Sequence, residues 1–305
     1  MRSVTLSFST MWAQQERFED LEAFRRTAAA FGYDAIEVSH STRPAGLKTL
    51  LQEGEVPLSS LHAPTPFRRL PDGRANGDAN LASLDESQRQ RAIAETKRSI
   101  DYAALGGLRY VVVHLGGCGD APTDEEKAVR TLYEAGETQG KGWDEARATL
   151  WRYREERAPA HLVAARRSLR ELVRHAAGRV ALGIESRLNY HEIPHPQEAV
   201  DLLAPYETDV AGFWYDVGHC EVQHRLGMID HESWYPAIGS RIIGAHLHDV
   251  RGILDHRAPG NGTLDWSMIA THLPETALRV LEINQHEPDD ITGAARDFLR
   301  ARGVA

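Results

Sequence analysis

Apolar residues along the chain follow two alternating rhythms. Short β-branched or aliphatic runs stand at Val4–Phe8, Ala35–Val38, Leu58–His62, Arg109–His114, Val180–Glu185, Ala211–Asp216, Ile242–His248 and Leu278–Ile283. Several carry no polar alternation, as in Tyr110-Val111-Val112-Val113, the pattern of strands buried on both faces of a parallel sheet. Between them apolar residues recur at three- and four-residue steps. Phe18, Leu21, Phe24, Ala28 and Phe31 predict a helix that stops at Gly32. A second starts at Asp85-Glu86, acidic residues suited to the positive end of the helix dipole, and runs to Gly106-Gly107; a third covers Ala160–Ala177 and stops at Gly178. Strand and helix alternating eight times predict a (β/α)8 barrel. An open, doubly wound sheet is the rival fold, but no glycine-rich phosphate loop follows the first strand, where Leu6-Ser7-Phe8-Ser9-Thr10 stands.

The stretch between the fourth and fifth strands is too long for one helix. From about residue 121 to 159 it holds two extra helical patterns with Gly136, Gly140 and Gly142 between them. It reads as an inserted helical hairpin above the barrel mouth, because loops that follow barrel strands sit on the active face. A lid, a dimer contact and a solvated decoration are equally compatible with it. The loop Pro64–Asn80, rich in Pro, Gly, Arg and Asn, is the other long connection. No internal repeat or linker divides the chain, so residues 1–305 are expected to form a single domain.

Composition narrows the class further. Lys and Arg number 35 against 44 Asp and Glu, so 35 − 44 gives −9, and the sequence pI is about 5.9. Such a chain lacks the bulk positive field that draws a protein to nucleic acid or to anionic membranes, although a local basic groove would escape this count. No apolar run approaches the roughly 20 residues of a membrane helix, and none forms the core of a signal peptide. Two cysteines, Cys118 and Cys220, show no CxxC spacing, which favours a reducing, cytoplasmic setting.

Histidine is over-used, with 15 residues against 7 Phe and 9 Tyr. The third strand ends in His62 and the fourth in His114. The fifth ends in Glu185, the sixth in Asp216 with His219 just beyond, the seventh in His246 and His248, and the eighth in Glu282. Catalytic groups of such barrels project from these C-terminal strand ends. Glu185, Asp216 and Glu282 would converge there, and three close carboxylates repel unless a cation lies among them. A divalent metal meets that need, with imidazoles completing its shell. Mixed N/O ligands suit Mn, Zn, Co or Fe better than Mg or Ca. His246 and His248 share a strand face, so one is the ligand and the other is left for substrate. Arg187, Asn189 and Arg251 follow the metal-bearing strands and are candidates to bind substrate hydroxyls or a phosphate. Cys118 and Cys220 lack a neighbouring cation in sequence and read as packing residues.

The stretches LHAP (61–64), NLASLDESQRQRAI (80–93), VVVHLGG (111–117), GIES (183–186), YDVGH (215–219), AHLHD (245–249), DHRAPGNGTLDW (255–266) and LE (281–282) resemble the xylose isomerase-like barrel superfamily. That superfamily joins sugar-phosphate isomerases and epimerases with the endonuclease IV type of abasic-site nuclease. The resemblance spans most of the chain outside 121–159. It implies a metal centre of Glu185, Asp216, His246 and Glu282; His246 is preferred over His248 because an acidic residue, Asp249, follows it by three. His62 and His114 match positions that hold an additional zinc in the nucleases, and His219 and His256 match ligands of a third. The nuclease pattern has an Asp two residues before that last histidine. Here Leu254 takes the position and Asp255 lies directly before His256, a departure from the pattern.

Three activities fit. The preferred one is a divalent-metal-dependent isomerase or epimerase of a small carbohydrate or sugar phosphate. One ion (Mn, Zn or Co) would stabilise an enediolate while Glu185 and Glu282 act as the acid/base pair. His219, His248, Arg187, Asn189 and Arg251 would bind the substrate. An endonuclease IV-like phosphodiesterase on abasic DNA is the first alternative, disfavoured by the acidic balance and by the bulk at the mouth. A keto-sugar or cyclitol lyase or dehydratase is the second. The expected partner is a small carbohydrate, with no nucleic acid and no membrane, and assembly into a homo-oligomer is left open.

Overall fold

The computed structural model describes residues 5–119 and 123–305. Eight parallel strands close into a barrel: β1 (Leu6–Ser9), β2 (Ala35–Val38), β3 (Leu58–His62), β4 (Tyr110–Val113), β5 (Ala181–Glu185), β6 (Ala211–Asp216), β7 (Ile242–Leu247) and β10 (Leu278–Leu281), with β1 pairing to both β2 and β10. The intervening β8 (Asp249–Arg251) and β9 (Leu254–Arg257) form a separate antiparallel hairpin beyond β7. Each barrel strand lies close to its expected bounds. The first, expected at Val4–Phe8, runs from Leu6 to Ser9, and Val4 lies outside the described residues. The β8–β9 hairpin was not expected; its second strand overlaps Asp255–Gly262, which in sequence is a polar loop with two glycines, suited equally to a turn or to close approach of the backbone to a substrate.

Helices α1 (Leu21–Ala30), α2 (Pro44–Leu50), α3 (Glu86–Leu105), α4 (Asp124–Glu134), α5 (Lys141–Ala176), α6 (Pro196–Leu203), α7 (Val217–Arg225), α8 (Trp234–Ile238), α9 (Trp266–His272) and α10 (Asp289–Ala301) complete the chain. Asp20 and Asp85 cap α1 and α3 by accepting hydrogen bonds from the first-turn amides. The main apolar core lies between the outer strand faces and these helices, with Phe8, Phe24, Val111, Leu169 and Leu202 among its buried members.

The inward strand faces set up the site. Because side chains alternate, Tyr110 and Val112 share an inward face with His114, Ala181 and Gly183 with Glu185, Trp214 with Asp216, and Val280 with Glu282. The lower members of these series, Tyr110, Val112, Ala181, Trp214 and Val280, form a second apolar cluster inside the barrel. Trp214 dominates it. A Cβ on Gly183 or Gly244 would come within 2.6 Å or 2.3 Å of its ring, so two strands carry glycine where the indole passes. The indole then meets His246 edge-on at 5.5 Å between ring centres, making an apolar floor under the polar strand ends.

Beyond β4 the expected hairpin takes a different form. Its first arm is α4, but its second is not a separate helix: α5 runs 36 residues without interruption into the helix that packs on the barrel, passing through Pro159. Pro159 and Glu155, whose carbonyl loses its amide partner, are both exposed, so water can satisfy that carbonyl and the proline does not end the helix. Residues 121 and 122 of the expected insertion lie outside the described residues.

Candidate metal centre

Four side chains from four strands meet at the barrel mouth. Around His246, Nδ1 lies 2.7 Å from Glu185 Oε1, 3.0 Å from Glu282 Oε2 and 3.6 Å from Asp216 Oδ2. The other ring nitrogen, Nε2, lies 3.0 Å from Glu37 Oε1. Glu37 also accepts a hydrogen bond from Ser60 Oγ at 2.9 Å, which fixes its carboxylate. With Nε2–H donated to Glu37, Nδ1 faces three carboxylates, an arrangement made favourable by positive charge there, as a proton on Nδ1 or a cation between the groups. All of these side chains are buried.

His62 and His114 lie beside Glu185. His62 Nδ1 is 3.2 Å from the Ala63 carbonyl, so its proton sits there and Nε2 turns toward the site. That Nε2 is 3.0 Å from His114 Nε2 and 3.5 Å from Glu185 Oε2, and His114 Nε2 also contacts Glu185 Oε2. Two imidazole nitrogens at hydrogen-bonding distance need a proton or a cation in common. His62, Glu185, His246 and Glu282 each present a ligand atom within 4.8 Å of the others.

Asp216, His219, His248 and His256 form a second group of the same kind. Asp216 caps α7, its Oδ1 accepting the His219 amide at 2.7 Å. His219 Nδ1 lies 3.0 Å from the Ser186 carbonyl, which directs its Nε2 at Asp255 Oδ2, 3.6 Å away. The same Asp255 oxygen is 2.9 Å from His256 Nδ1, and His256 Nε2 is 3.7 Å from Glu282. Asp255 thus faces both histidines although it stands one position from the nuclease pattern. His256 holds a left-handed backbone, φ +53°, a conformation that non-glycine residues adopt at a cost and that is commonest at functional sites.

His248 departs from its expected place at the substrate. Its Nδ1 accepts the His256 amide at 2.8 Å, so its proton is on Nε2, which donates to Asp216 Oδ1 at 2.8 Å. With both nitrogens engaged inside the protein and the ring fully buried, His248 orients Asp216 and does not reach the pocket. A Cβ on Gly218 would fall 2.0 Å from its ring, so the glycine of YDVGH makes room for it. Arg251 is a second correction. It sits on the exposed hairpin, where its guanidinium bonds Asn261, and it does not line the cavity. Arg187 and Asn189 do line it, with His40, His114, His219 and Glu282, around a volume of about 460 Å³, within the range of small-molecule sites.

Charge supports a cation here. Burial works against ionisation of Glu185, Asp216 and Glu282, yet neighbouring imidazoles hold all three carboxyls well below the usual range: His114 and His246 for Glu185, His219 and His248 for Asp216, His246 and His256 for Glu282. Burial likewise favours neutral His246, but Glu282, Glu37 and Glu185 drive its pKa well above the ordinary value, and Asp255 does the same to buried His256. His114 goes the other way, pushed down to about 3 by burial and by Arg187. The cluster therefore demands positive charge, which protonated imidazoles or a divalent ion can supply. Asp216 Oδ2 and Glu282 Oε1 are buried without a hydrogen-bond partner among the described residues. Unpartnered carboxylate oxygens beside imidazoles are a donor set that fits a divalent cation. Cys118 and Cys220 are buried and free. Burial pushes the Cys118 thiol up to about 11 and raises that of Cys220 as well, which fits packing roles.

Three contributors were not foreseen. Glu37 was legible only as a carboxylate within the apolar strand Ala35–Val38. His40, just past that strand, packs 5.0 Å from the His62 ring and has a buried Nδ1 without a partner among the described residues. Asp249, noted only as a neighbour of His246, accepts the amides of Val250, Gly260 and Leu264 and the Trp266 indole N–H, and so shapes the whole 258–266 loop.

Comparison with known proteins adds to this geometry. Residues 25–302 match the family model described as a xylose isomerase-like TIM barrel. No curated protein matches the chain in sequence. Among solved structures, a D-tagatose 3-epimerase-like protein is similar at 19% identity, with 98% of this chain and 97% of that chain covered and a TM-score of 0.68. A 3-keto-D-glucoside 4-epimerase from E. coli, in its apo form, is similar at 15% identity, covering 98% of this chain and 100% of that one, with a TM-score of 0.65. A Thermus thermophilus protein soaked with ZnCl2 is similar at 22% identity, covering 98% of this chain and 97% of that one, with a TM-score of 0.60. At these identities the likeness is one of fold.

Proposed function

The chain belongs to the xylose isomerase-like TIM barrel family, and from that premise we propose that it is a divalent-metal-dependent isomerase or epimerase of a small carbohydrate. The whole chain is read as one barrel domain, with the segment at 121–159 as a helical insertion between β4 and β5. The carbohydrate reading is supported by the epimerases among the structures of like fold. The observation that carries it is Glu282. One oxygen of this carboxylate faces His246, while the other, Oε1, is buried without a partner among the described residues, in a side chain that lines the cavity.

Glu185, Asp216, His246 and Glu282 would hold the ion, with His62 and His114 beside Glu185. When bound, a divalent ion supplies Lewis-acid polarisation of a substrate carbonyl and balances the three carboxylates. The protein's own groups do the rest. Glu282 Oε1 takes the proton from the carbon next to the carbonyl, leaving the electron pair in an enediolate. Glu185, after taking up a proton from solvent, delivers it to the opposite face of the enediolate and is left as the carboxylate, and Arg187, whose Nη1 donates to Glu185 Oε2 at 3.0 Å, holds that group in place. His219 and Asn189 orient substrate hydroxyls from the cavity wall, and the Trp214 floor keeps water from beneath.

The test is proton exchange. Protein loaded with Mn, Zn or Co, incubated with ketopentoses and ketohexoses in deuterated water, should place deuterium on the carbon next to the carbonyl. Glu282→Gln should remove that exchange while the protein stays folded. Retained exchange in the variant would overturn the acid/base assignment. A second reading is favoured by the two imidazole groups that flank the centre, His62 with His114 and His219 with His256: a multi-metal phosphodiesterase. Metal-dependent nicking of abasic-site DNA, with no exchange on any sugar, would award the site to it.

A further inference from the structure

The segment between β4 and β5 grips one active-site loop by its backbone. Residues 187–192, which follow β5, carry Arg187 and Asn189 into the cavity. Within this loop Glu192 accepts from Arg187 Nε at 3.0 Å and from the Asn189 amide and side chain at 2.9 and 3.0 Å. Arg187 reaches onward to Glu185. The orientation of that guanidinium therefore depends on the path of the loop.

The path is set from outside. Glu126, on the first turn of α4, is fully buried. Both its oxygens accept the Tyr190 amide, at 3.1 and 3.0 Å, and His191 Nδ1 is 3.4 Å from Oε2. One turn along α4, Arg130 donates to the Leu188 carbonyl and to Asn189 Oδ1 at 3.4 and 3.2 Å, and its Nη2 lies 3.8 Å from Glu126. From α5, Arg154 donates to the Glu192 carbonyl at 3.2 Å. Three side chains of the segment thus bond backbone groups at residues 188, 190 and 192. The segment is itself anchored: Val129, Trp143 and Leu150 form a satellite apolar core with Tyr190, Val222 and Ile253. A buried carboxylate whose hydrogen-bond donors come from this loop is costly to keep unless the bond does something.

We propose that Glu126 is a positioning residue for the cavity: by binding the Tyr190 amide it fixes the 187–192 loop and, through it, the Arg187 guanidinium against Glu185. The consequence for catalysis rests on the reading of the site given above. The consequence for Arg187 does not. In this role the segment is neither a mobile lid nor a solvated ornament but a clamp on one wall of the site.

The test compares Glu126→Ala with Val129→Ala, a cavity variant on the same helix that keeps all the loop bonds, and with Glu126→Gln, which keeps one acceptor oxygen. Hydrogen–deuterium exchange of residues 187–192 and phenylglyoxal labelling of Arg187 are read by peptide mass spectrometry, alongside thermal melts. Glu126→Ala should speed exchange at the Tyr190 amide at least tenfold and raise Arg187 labelling severalfold. Val129→Ala should lower the melting temperature yet leave labelling at the wild-type level, and Glu126→Gln should recover most of the protection. Labelling that merely follows loss of stability across the three variants, or that stays unchanged in Glu126→Ala, would overturn the proposal. A parallel Mn2+ titration separates the two readings. If the wild-type chain binds no divalent ion, the metal reading falls, while exchange and labelling still decide the role of Glu126.

Discussion

At the residue scale the site is decided by which nitrogen of each histidine carries the proton. His246 and His248 stand two positions apart on one strand face, yet Glu37 takes the Nε2–H of the first while the His256 amide takes the Nδ1 lone pair of the second. One is left with its Nδ1 facing three carboxylates, where a proton or a bound cation must sit, and the other becomes a brace for Asp216. Glu37 should therefore tune metal affinity without touching the ion. Glu37→Gln is expected to weaken Mn2+ binding about 10- to 100-fold by calorimetric titration, the usual effect of losing such a carboxylate partner; unchanged affinity would remove Glu37 from the centre. The residue types that gather at the strand ends were legible, because chemistry limits candidate ligands to His, Asp and Glu. The tautomers were not, because they depend on backbone groups brought in from other elements. Arg251 shows the same limit. Its sequence position beside β7 suggested substrate, but the turn of the β8–β9 hairpin carries it to the surface and to Asn261.

At the element scale, α5 joins what sequence pattern separates. Helical periodicity on both sides of Pro159 is clear, and the proline reads as a boundary, yet packing on both sides of the helix outweighs one lost hydrogen bond. Where α5 crosses α6, Arg154 makes a two-pronged pair with Glu198, at 2.7 and 2.6 Å. Burial tends to raise the Glu198 pKa, but the Arg154 guanidinium more than reverses this and leaves it depressed. A depressed carboxylate contributes stability that is fully present above its unfolded pKa, about 4.3, and is lost as the pH falls through the folded value. Glu198→Gln should thus cost about 2 kcal/mol at pH 7, and the gap from wild type in urea melts should narrow as the pH drops below about 4. A gap independent of pH would mean that shape, not charge, holds α5 to α6.

At the scale of the whole molecule the barrel makes the centre by bringing together strand ends that are far apart in the chain; Glu37 and His246 are 209 residues apart. Concentrating so many carboxylates costs stability, and a bound ion would offset it. Chelator-treated protein is expected to melt lower than protein with Mn2+ at 100 times its dissociation constant, by the equivalent of about 2.7 kcal/mol, a shift of a few degrees. Asp216→Asn should lose most of that shift, and a melting point indifferent to divalent ions would count against the centre. The sequence alone determined the eight strands, their parallel closure and the acids and imidazoles at their C-terminal ends, because period, strand polarity and ligand chemistry are local properties. Only the tertiary structure decided that Glu37 buttresses His246, that Asp255 faces both His219 and His256, and that α4 holds the loop of Arg187. Each of those depends on hydrogen bonds between segments whose meeting no local pattern encodes.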